Sequence, residues 1–560
     1  MRKSRKNQVS RIFALLLVSV LLTTSLAACG GGAQSTGGND TVTSTGTTAQ
    51  PVQTTGSAKS EQTAAPEGIT FPLKEGVELE VWTGIPPELA KYVDSLAETE
   101  FFKGLEKRTN IHLTFRHPVA GNENTDFTMM LASGDVADII KTSQNTNYQD
   151  GYDAAVNDQV FMDLTGLVEQ YAPHYLAALE NYDQYQPGYA KAAKTLEGRY
   201  VYISQVMKVP QGPFGGLYIR KDWLDDLGLE VPVTYADWEN ALTQFKEVKG
   251  ATSPLLLPKA GYESMFQILN SGYDVGTEFY QVDGKVKYGP MEDGWKAYIE
   301  MLNRWYKNGL VDQDFFTATS IWPDTALVTT GKTGSFFTLY TFIASYEAAN
   351  EDEDAEFVPV PNPVQNAGDK VHFKNVMYPT FGSVISADCE NPEIALSLLD
   401  YFYTDEGSLY CNYGEEGVSF NYDSEGNPQF TDLISKNEKF TFSEALGYYC
   451  MPGARTVWQD WRRELGSVPE KDQVCFDVFS SNQDSQYIVP SYFKSAMSTD
   501  DLAEYGKILA DVKTSVDENT ALFITGVRPM SEWDAYVEQL KALGIERAIE
   551  LVQNAYDVIK

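Results

Sequence analysis

Two short segments alternate apolar and polar residues with a period of two: Val77-Glu78-Leu79-Glu80-Val81-Trp82 and Ile111-His112-Leu113-Thr114-Phe115. That period predicts strands with one buried face. Leu89 to Lys107, between them, has a helix-like pattern, and Phe127 to Ser133 predicts a second helix. A Gly134-Asp135 turn then leads into Val136-Ala137-Asp138-Ile139-Ile140, which reads as a short buried strand. Strand, helix, strand, helix, strand is the order of an α/β domain with mostly parallel pairing. Such sheets bind ligands at the carboxyl ends of their strands, which directs attention to Trp82-Thr83 and Lys141-Thr142-Ser143.

Later segments carry helical periodicity. Asn391 and Pro392 suit a helix start, and Ile394, Ala395, Leu398, Leu399 and Phe402 fall on one face, with Gly407 expected at the end. Trp533, Tyr536, Val537 and Leu540 form another stripe closed by Gly544, and Ile545, Ile549, Val552, Tyr556 and Ile559 form a last one. These stripes are read as core. No internal repeat stands out.

The N-terminus follows a different rule. Arg2, Lys3, Arg5, Lys6 and Arg11 precede an apolar run from Ile12 to Leu22, and small residues follow it. This is the layout of a secretory signal, with an apolar run too short for a membrane span. Cys29 directly follows Leu26-Ala27-Ala28. That order resembles a bacterial lipobox, which makes Cys29 the expected lipidated first residue of the mature chain. From Gly30 to about Glu67 the sequence is Gly, Ser, Thr and Gln with almost no large apolar residue, the composition of a flexible tether.

Composition narrows the function. The chain has 560 residues, 78 acidic against 43 basic, and a formal charge of −35. A nucleic-acid partner is not expected, since phosphate binding needs clustered Lys and Arg. The length exceeds what one compact core holds, so two or more lobes are expected. Cys389, Cys411, Cys450 and Cys475 are read as small buried residues in preference to disulfides, and none has zinc-site spacing.

Several segments together resemble extracellular solute-binding protein family 1, the substrate-binding lipoproteins of bacterial ABC importers. They are Leu105 to Ile111, Leu131-Ala132-Ser133-Gly134-Asp135-Val136-Ala137-Asp138, Tyr218 to Leu224 with Leu227-Gly228-Leu229, and Gly331 to Phe337. Asn391 to Gly407, continuing through Tyr413-Gly414-Glu415-Glu416-Gly417-Val418, is similar to the large oligosaccharide and aldouronate-type subgroup, as are Phe523-Ile524-Thr525-Gly526 and Gly544 to Tyr556. The resemblance implies a periplasmic-binding-protein-like fold of two α/β lobes with a hinge and an interlobe cleft. It divides the chain into a signal peptide at 1–28, a tether at 29–67, a first lobe of 76–205 with about 385–445, and a second of 215–380 with C-terminal helices from about 446 to 560. By analogy the chain crosses between lobes near Val206 to Arg220 and near Tyr378 to Ser386. Gly215-Gly216 and Gly382 are either hinge glycines or ordinary turn and bulge glycines.

A sugar ligand needs flat aromatics for stacking and polar groups for directed hydrogen bonds. The candidate contacts are Trp82, Tyr148, Tyr152, Phe214, Trp322, Phe336, Arg455 and Trp458. Trp82 has core packing as its alternative, Phe336 falls where relatives place a stacking Trp, and Arg455 suits a uronate carboxylate. No cofactor and no metal are expected. Gly331-Lys332-Thr333 lacks the first glycine of a phosphate loop because Ala326 stands there, and G-x-S-x-G and H-E-x-x-H are absent. The expected function is capture of an oligosaccharide, with uronate-containing ones among the options, by a monomer anchored outside the cell, for delivery to a permease. A surface-anchored glycoside hydrolase or lyase is the alternative, because 78 acidic residues always permit a carboxylate pair.

Overall fold

In the computed structural model, residues 68–143, 148, 151–256, 268–317, 323–374, 376, 378–379, 382–453, 456–468 and 473–560 are described. The chain opens with β1 (Val77–Trp82), α1 (Glu100–Thr109), β2 (Ile111–Arg116), α2 (Glu123–Ser133) and β3 (Ile139–Lys141). α1 starts later than the periodicity from Leu89 predicts. Ser95 and Glu98 form a capping box around a single 3-10 turn, and Thr99 then caps α1, so local side-chain bonds break the apolar stripe into separate turns. β1 pairs in parallel with both β2 and β3, in the register Val77 opposite Ile111 and Val81 opposite Ile139.

After α3 (Pro173–Asp183) and β4 (Tyr202–Ile203), the chain leaves this sheet. It builds β5 (Gly215–Arg220), α4 (Tyr235–Glu247), β6 (Leu255–Leu256), α5 (Asp293–Lys307), β7 (Ser335–Leu339) and β8 (Phe357–Val360). It then returns to the first sheet as β9 (Ser383–Ile385), followed by α6 (Pro392–Tyr401), α7 (Asp405–Tyr413) and α8 (Phe442–Tyr449). The last long helices are α9 (Thr499–Thr525) and α10 (Ile545–Ile559). The first sheet has the order β2-β1-β3-β9-β4 and the second β8-β5-β7-β6. This is a two-lobed α/β architecture, each lobe with its own core. Leu79, Phe101, Tyr175, Ile385 and Leu399 belong to the first, and Ile219, Trp238, Trp305, Val512 and Tyr536 to the second.

Two boundaries differ from the sequence reading. α6 ends at Tyr401 with Phe402 as its cap, and Gly407 lies inside α7, where an added Cβ would come within 1.9 Å of the Tyr401 carbonyl oxygen. Its role is close packing between consecutive helices, not termination. Residues 446–459 also stay with the first lobe. α8 packs against α1, and Met451 and Val457 join the first-lobe core. The change to the second lobe comes at Trp461, whose ring packs on Phe476 at 4.7 Å.

Among the described residues, three chain segments therefore run between the lobes: about 204–214, the described positions between 374 and 382, and 458–461. Val206–Met207 pairs in parallel with Trp458–Gln459, tying the first crossing to the third. The second is tied to the first lobe by Thr142, whose hydroxyl donates to the Gly382 carbonyl at 2.7 Å and accepts from its N–H at 3.1 Å. Gly382 is required here because a Cβ would sit 2.2 Å from the Ile203 carbonyl oxygen. Gly216 is buried in β5, where a Cβ would strike the Phe479 ring at 2.3 Å. Neither has a positive φ. At both positions the backbone approaches a neighbour too closely for a side chain, and neither glycine sits in a left-handed turn. Cys389, Cys411, Cys450 and Cys475 are buried free thiols.

Candidate functional site

A cleft of about 410 Å³ opens on the crossing segments, within the range of small-molecule sites. The first lobe contributes Tyr182, Tyr185, Gln186 and Tyr189, from the end of α3 and the turn after it. The first crossing adds Gln205 and the stretch from Pro210 to Phe214, and the second adds Lys374, Val376 and Tyr378. The second lobe closes the ring with Gln483, Asp484 and Ser485. Every wall thus belongs to a different part of the chain, and the crossing segments form the base.

The sequence of the first wall explains its geometry. α3 ends in a Tyr- and Gln-rich run, Tyr182-Asp183-Gln184-Tyr185-Gln186, broken by Pro187-Gly188. Gly188 has φ of +87°, a left-handed turn that costs glycine little and brings Tyr189 back beside Tyr182, ring to ring at 4.6 Å. Tyr189 donates to the Gln205 carbonyl at 2.8 Å and lies 6.5 Å from Tyr378, which in turn meets Tyr492 edge-on at 4.8 Å. This aromatic row passes from the first lobe over the second crossing to the second lobe. Burial pushes the Tyr189 and Tyr378 phenols up and Tyr492 up to about 12, so all three stay protonated at neutral pH, with the Tyr189 proton given to the Gln205 carbonyl.

The polar groups are placed as firmly. Gln205 is hydrogen-bonded to Gln459 of the third crossing. Gln483 donates to Asn362 at 3.1 Å and to the Phe479 carbonyl. Lys374 and Asp484 are the charged residues among those lining the cleft. Flat aromatic faces beside amides, phenols and one charge of each sign can hold a polyhydroxylated ligand, with C–H faces on the rings and hydroxyls on the polar groups.

Among the sequence candidates, Phe214 lines this cleft. Trp82 does not. It is 3% exposed and packs on Phe127 at 5.6 Å, because its strand lies between two neighbours with helices over that face. Tyr152 likewise packs on the core, its ring tilted against Tyr202 at 4.6 Å and its hydroxyl hydrogen-bonded to Thr142 at 2.8 Å. Tyr148 turns to Asp158 at 2.7 Å and to Phe161. Phe336 is fully buried between Tyr346 and Phe357 because β7 is an inner strand of the second sheet. Trp458 sits in the third crossing. Its carbonyl accepts from Ser408 at 2.7 Å and Asn412 at 3.0 Å, and the Lys208 ammonium lies 4.7 Å above its ring. Trp322, Arg455 and Cys29 lie outside the described residues. The carboxyl edge of the first sheet is also occupied, since Thr142 there holds the second crossing.

Sequence reading missed Tyr182, Tyr185, Tyr189, Tyr378, Gln483 and Asp484. The dense Tyr/Gln run from 182 to 189 was a usable signal. Nothing local marks Gln483-Asp484, which are brought to the cleft by the pairing of their segment with Val371 to Lys374 and by the Gln483 bond to Asn362.

Two α/β lobes and a ligand-sized cleft on the first and second of the segments between them are the architecture of a binding protein. The profile of the bacterial extracellular solute-binding proteins matches residues 86–408, and the chain belongs to that family. It is 22% identical over 528 residues to the fructooligosaccharide ABC transporter substrate-binding protein FusA of Streptococcus pneumoniae serotype 4, covering 88% of this chain and 92% of that one. It is also 22% identical over 372 residues to lipoprotein LipO of Bacillus subtilis, covering 60% of this chain and 70% of LipO. In fold it is similar to the alginate-binding protein AlgQ2 without calcium ion, with a TM-score of 0.62, 23% identity, and coverage of 88% of this chain and 100% of that one.

Proposed function

We propose that this chain is the receptor of an ABC importer, anchored outside the cell by Cys29, which captures an oligosaccharide between its lobes and hands it to a membrane permease. The observation that carries the reading is the cleft itself, where tyrosines, glutamines and Phe214 surround a void built on the first and second of the segments that connect the lobes. FusA, similar over most of both chains, is named for a fructooligosaccharide, and LipO for its lipoprotein nature. The basic and apolar leader before Leu26-Ala27-Ala28-Cys29 supports the anchor, and the Gly/Ser/Thr tether supports standoff from the membrane.

In this reading the protein is a monomeric binder and not an enzyme. The lobes close on the sugar by bending the crossing segments. Aromatic stacking supplies affinity, and the amides, phenols and charged pair supply selectivity. Anchoring keeps the receptor at high local concentration beside its permease. The test is calorimetric titration and thermal shift of the soluble part with fructan, xylan, glucan and pectin oligomers. Binding without released product is expected. Unchanged melting temperatures with every sugar would overturn the sugar ligand, and product formation would replace the binder with a hydrolase or lyase.

A further inference from the structure

Asp484 is the carboxylate of the cleft, and its surroundings are unusually specific. His372 Nδ1 lies 2.8 Å from Asp484 Oδ1, which also accepts the Gln486 N–H at 3.1 Å. Oδ2 has no hydrogen-bond partner among the described residues, although the side chain is 40% exposed on the cleft wall. The backbone is fixed on both sides. The Asp484 N–H donates to the Val371 carbonyl at 2.9 Å, and the Lys374 N–H donates to the Asp484 carbonyl at 2.6 Å. His372 is itself held, with its ring 4.6 Å from that of Tyr487 and its carbonyl accepting the Tyr487 N–H at 3.0 Å. One oxygen is therefore spent on position, while the other is left for a partner at the cleft wall that Asp484 lines.

A carboxylate oxygen accepts hydrogen bonds and cannot donate them when ionised. A sugar hydroxyl is a donor it can satisfy, through a charge-assisted bond about twice as strong as a neutral one. A second carboxylate at the same place would meet a like charge. We propose that Asp484 is the specificity-determining residue of the cleft, accepting hydroxyls of an uncharged oligosaccharide and discriminating against uronates there, and that His372 is its positioning residue. This rests on the carbohydrate reading above.

The experiment titrates wild-type protein and the variants Asp484→Asn, His372→Ala and His372→Asn with two panels: neutral fructan, xylan and glucan oligomers, and oligogalacturonate and alginate oligomers. The wild type is expected to bind a neutral oligomer and to bind the acidic ones at least tenfold more weakly. Asp484→Asn should weaken neutral binding about tenfold and shrink the neutral-to-acidic ratio, with the unliganded melting temperature unchanged. His372→Ala should weaken neutral binding, and His372→Asn, which keeps a donor near Nδ1, should restore most of it. A merely structural role would move the melting temperature and leave the ratio alone. Neutral binding within threefold of wild type in Asp484→Asn, or preferential binding of acidic oligomers by wild type, overturns this inference and leaves the carbohydrate reading standing. Failure of wild type to bind any sugar overturns both.

Discussion

The first lobe's core and the cleft use the same kind of side chain in opposite ways. Trp82, at 3% exposure, sits against Phe127, Met130 and Ile140, and serves by excluding water. Tyr185, on the cleft wall, is 49% exposed and leaves a ring face for something else to cover. Trp82 is sealed because its strand is central and helices cover it. Tyr185 is open because α3 has already ended at Asp183 and the chain runs on as a turn through Pro187 and Gly188, with no neighbouring strand over it. Aromatic content alone does not mark a sugar site. What marks it is an aromatic residue where regular structure stops and the chain passes between lobes.

The largest effect should come from breaking the sealed side. Trp82→Ala is expected to destabilise the protein by about 3–5 kcal/mol through a cavity, measured by denaturant unfolding, while the folded protein keeps its sugar affinity. A small stability change with a large loss of affinity would move Trp82 into the site. Next is Gly382→Ala, whose Cβ would lie 2.2 Å from the Ile203 carbonyl oxygen. A loss of about 1–3 kcal/mol in stability is expected from the forced separation of the second crossing from β4. Tyr378→Ala should act on the other side of the comparison, weakening binding about tenfold, or about 1.4 kcal/mol, with less effect on unfolding than Trp82→Ala.

The smallest expected effect concerns a charge that serves structure, in contrast to Asp484 in the cleft. Lys91 lies 2.6 Å from Glu444, and the Thr441 N–H donates to its carboxyl at 2.7 Å, holding the pKa down to about 2. A carboxyl depressed in the folded state stabilises it above the unfolded value of about 4.3 and loses that contribution as pH falls toward 2. Wild type should therefore melt above Glu444→Gln at pH 6, with the gap closing between about pH 4 and 2. A gap that persists at pH 2 would show that capping geometry, not charge, is responsible.

The strand periods of 77–82 and 111–115 were legible because alternation follows directly from a sheet with one buried face. A hairpin closes as locally, since Asp423 accepts the Glu425 and Asn427 N–H groups, each at 2.9 Å, between the paired segments Phe420–Tyr422 and Pro428–Phe430. Phe214 was found because it adjoins a crossing that the resemblance located. Phe336 failed because an inner strand buries both faces, and a phenylalanine there reads the same in sequence as one in a cleft.

The sequence by itself determined the alternating strands, the amphipathic helices, the acidic surface and the family pattern, because each depends on residues close together in the chain. Only the tertiary structure decided where the cleft lies and which tyrosines line it. Tyr182, Tyr378 and Asp484 are separated by 196 and 106 positions. They meet because the chain leaves its first sheet, builds a second and crosses again. Tertiary packing then decides which rings are sealed by neighbours and which remain open to a ligand.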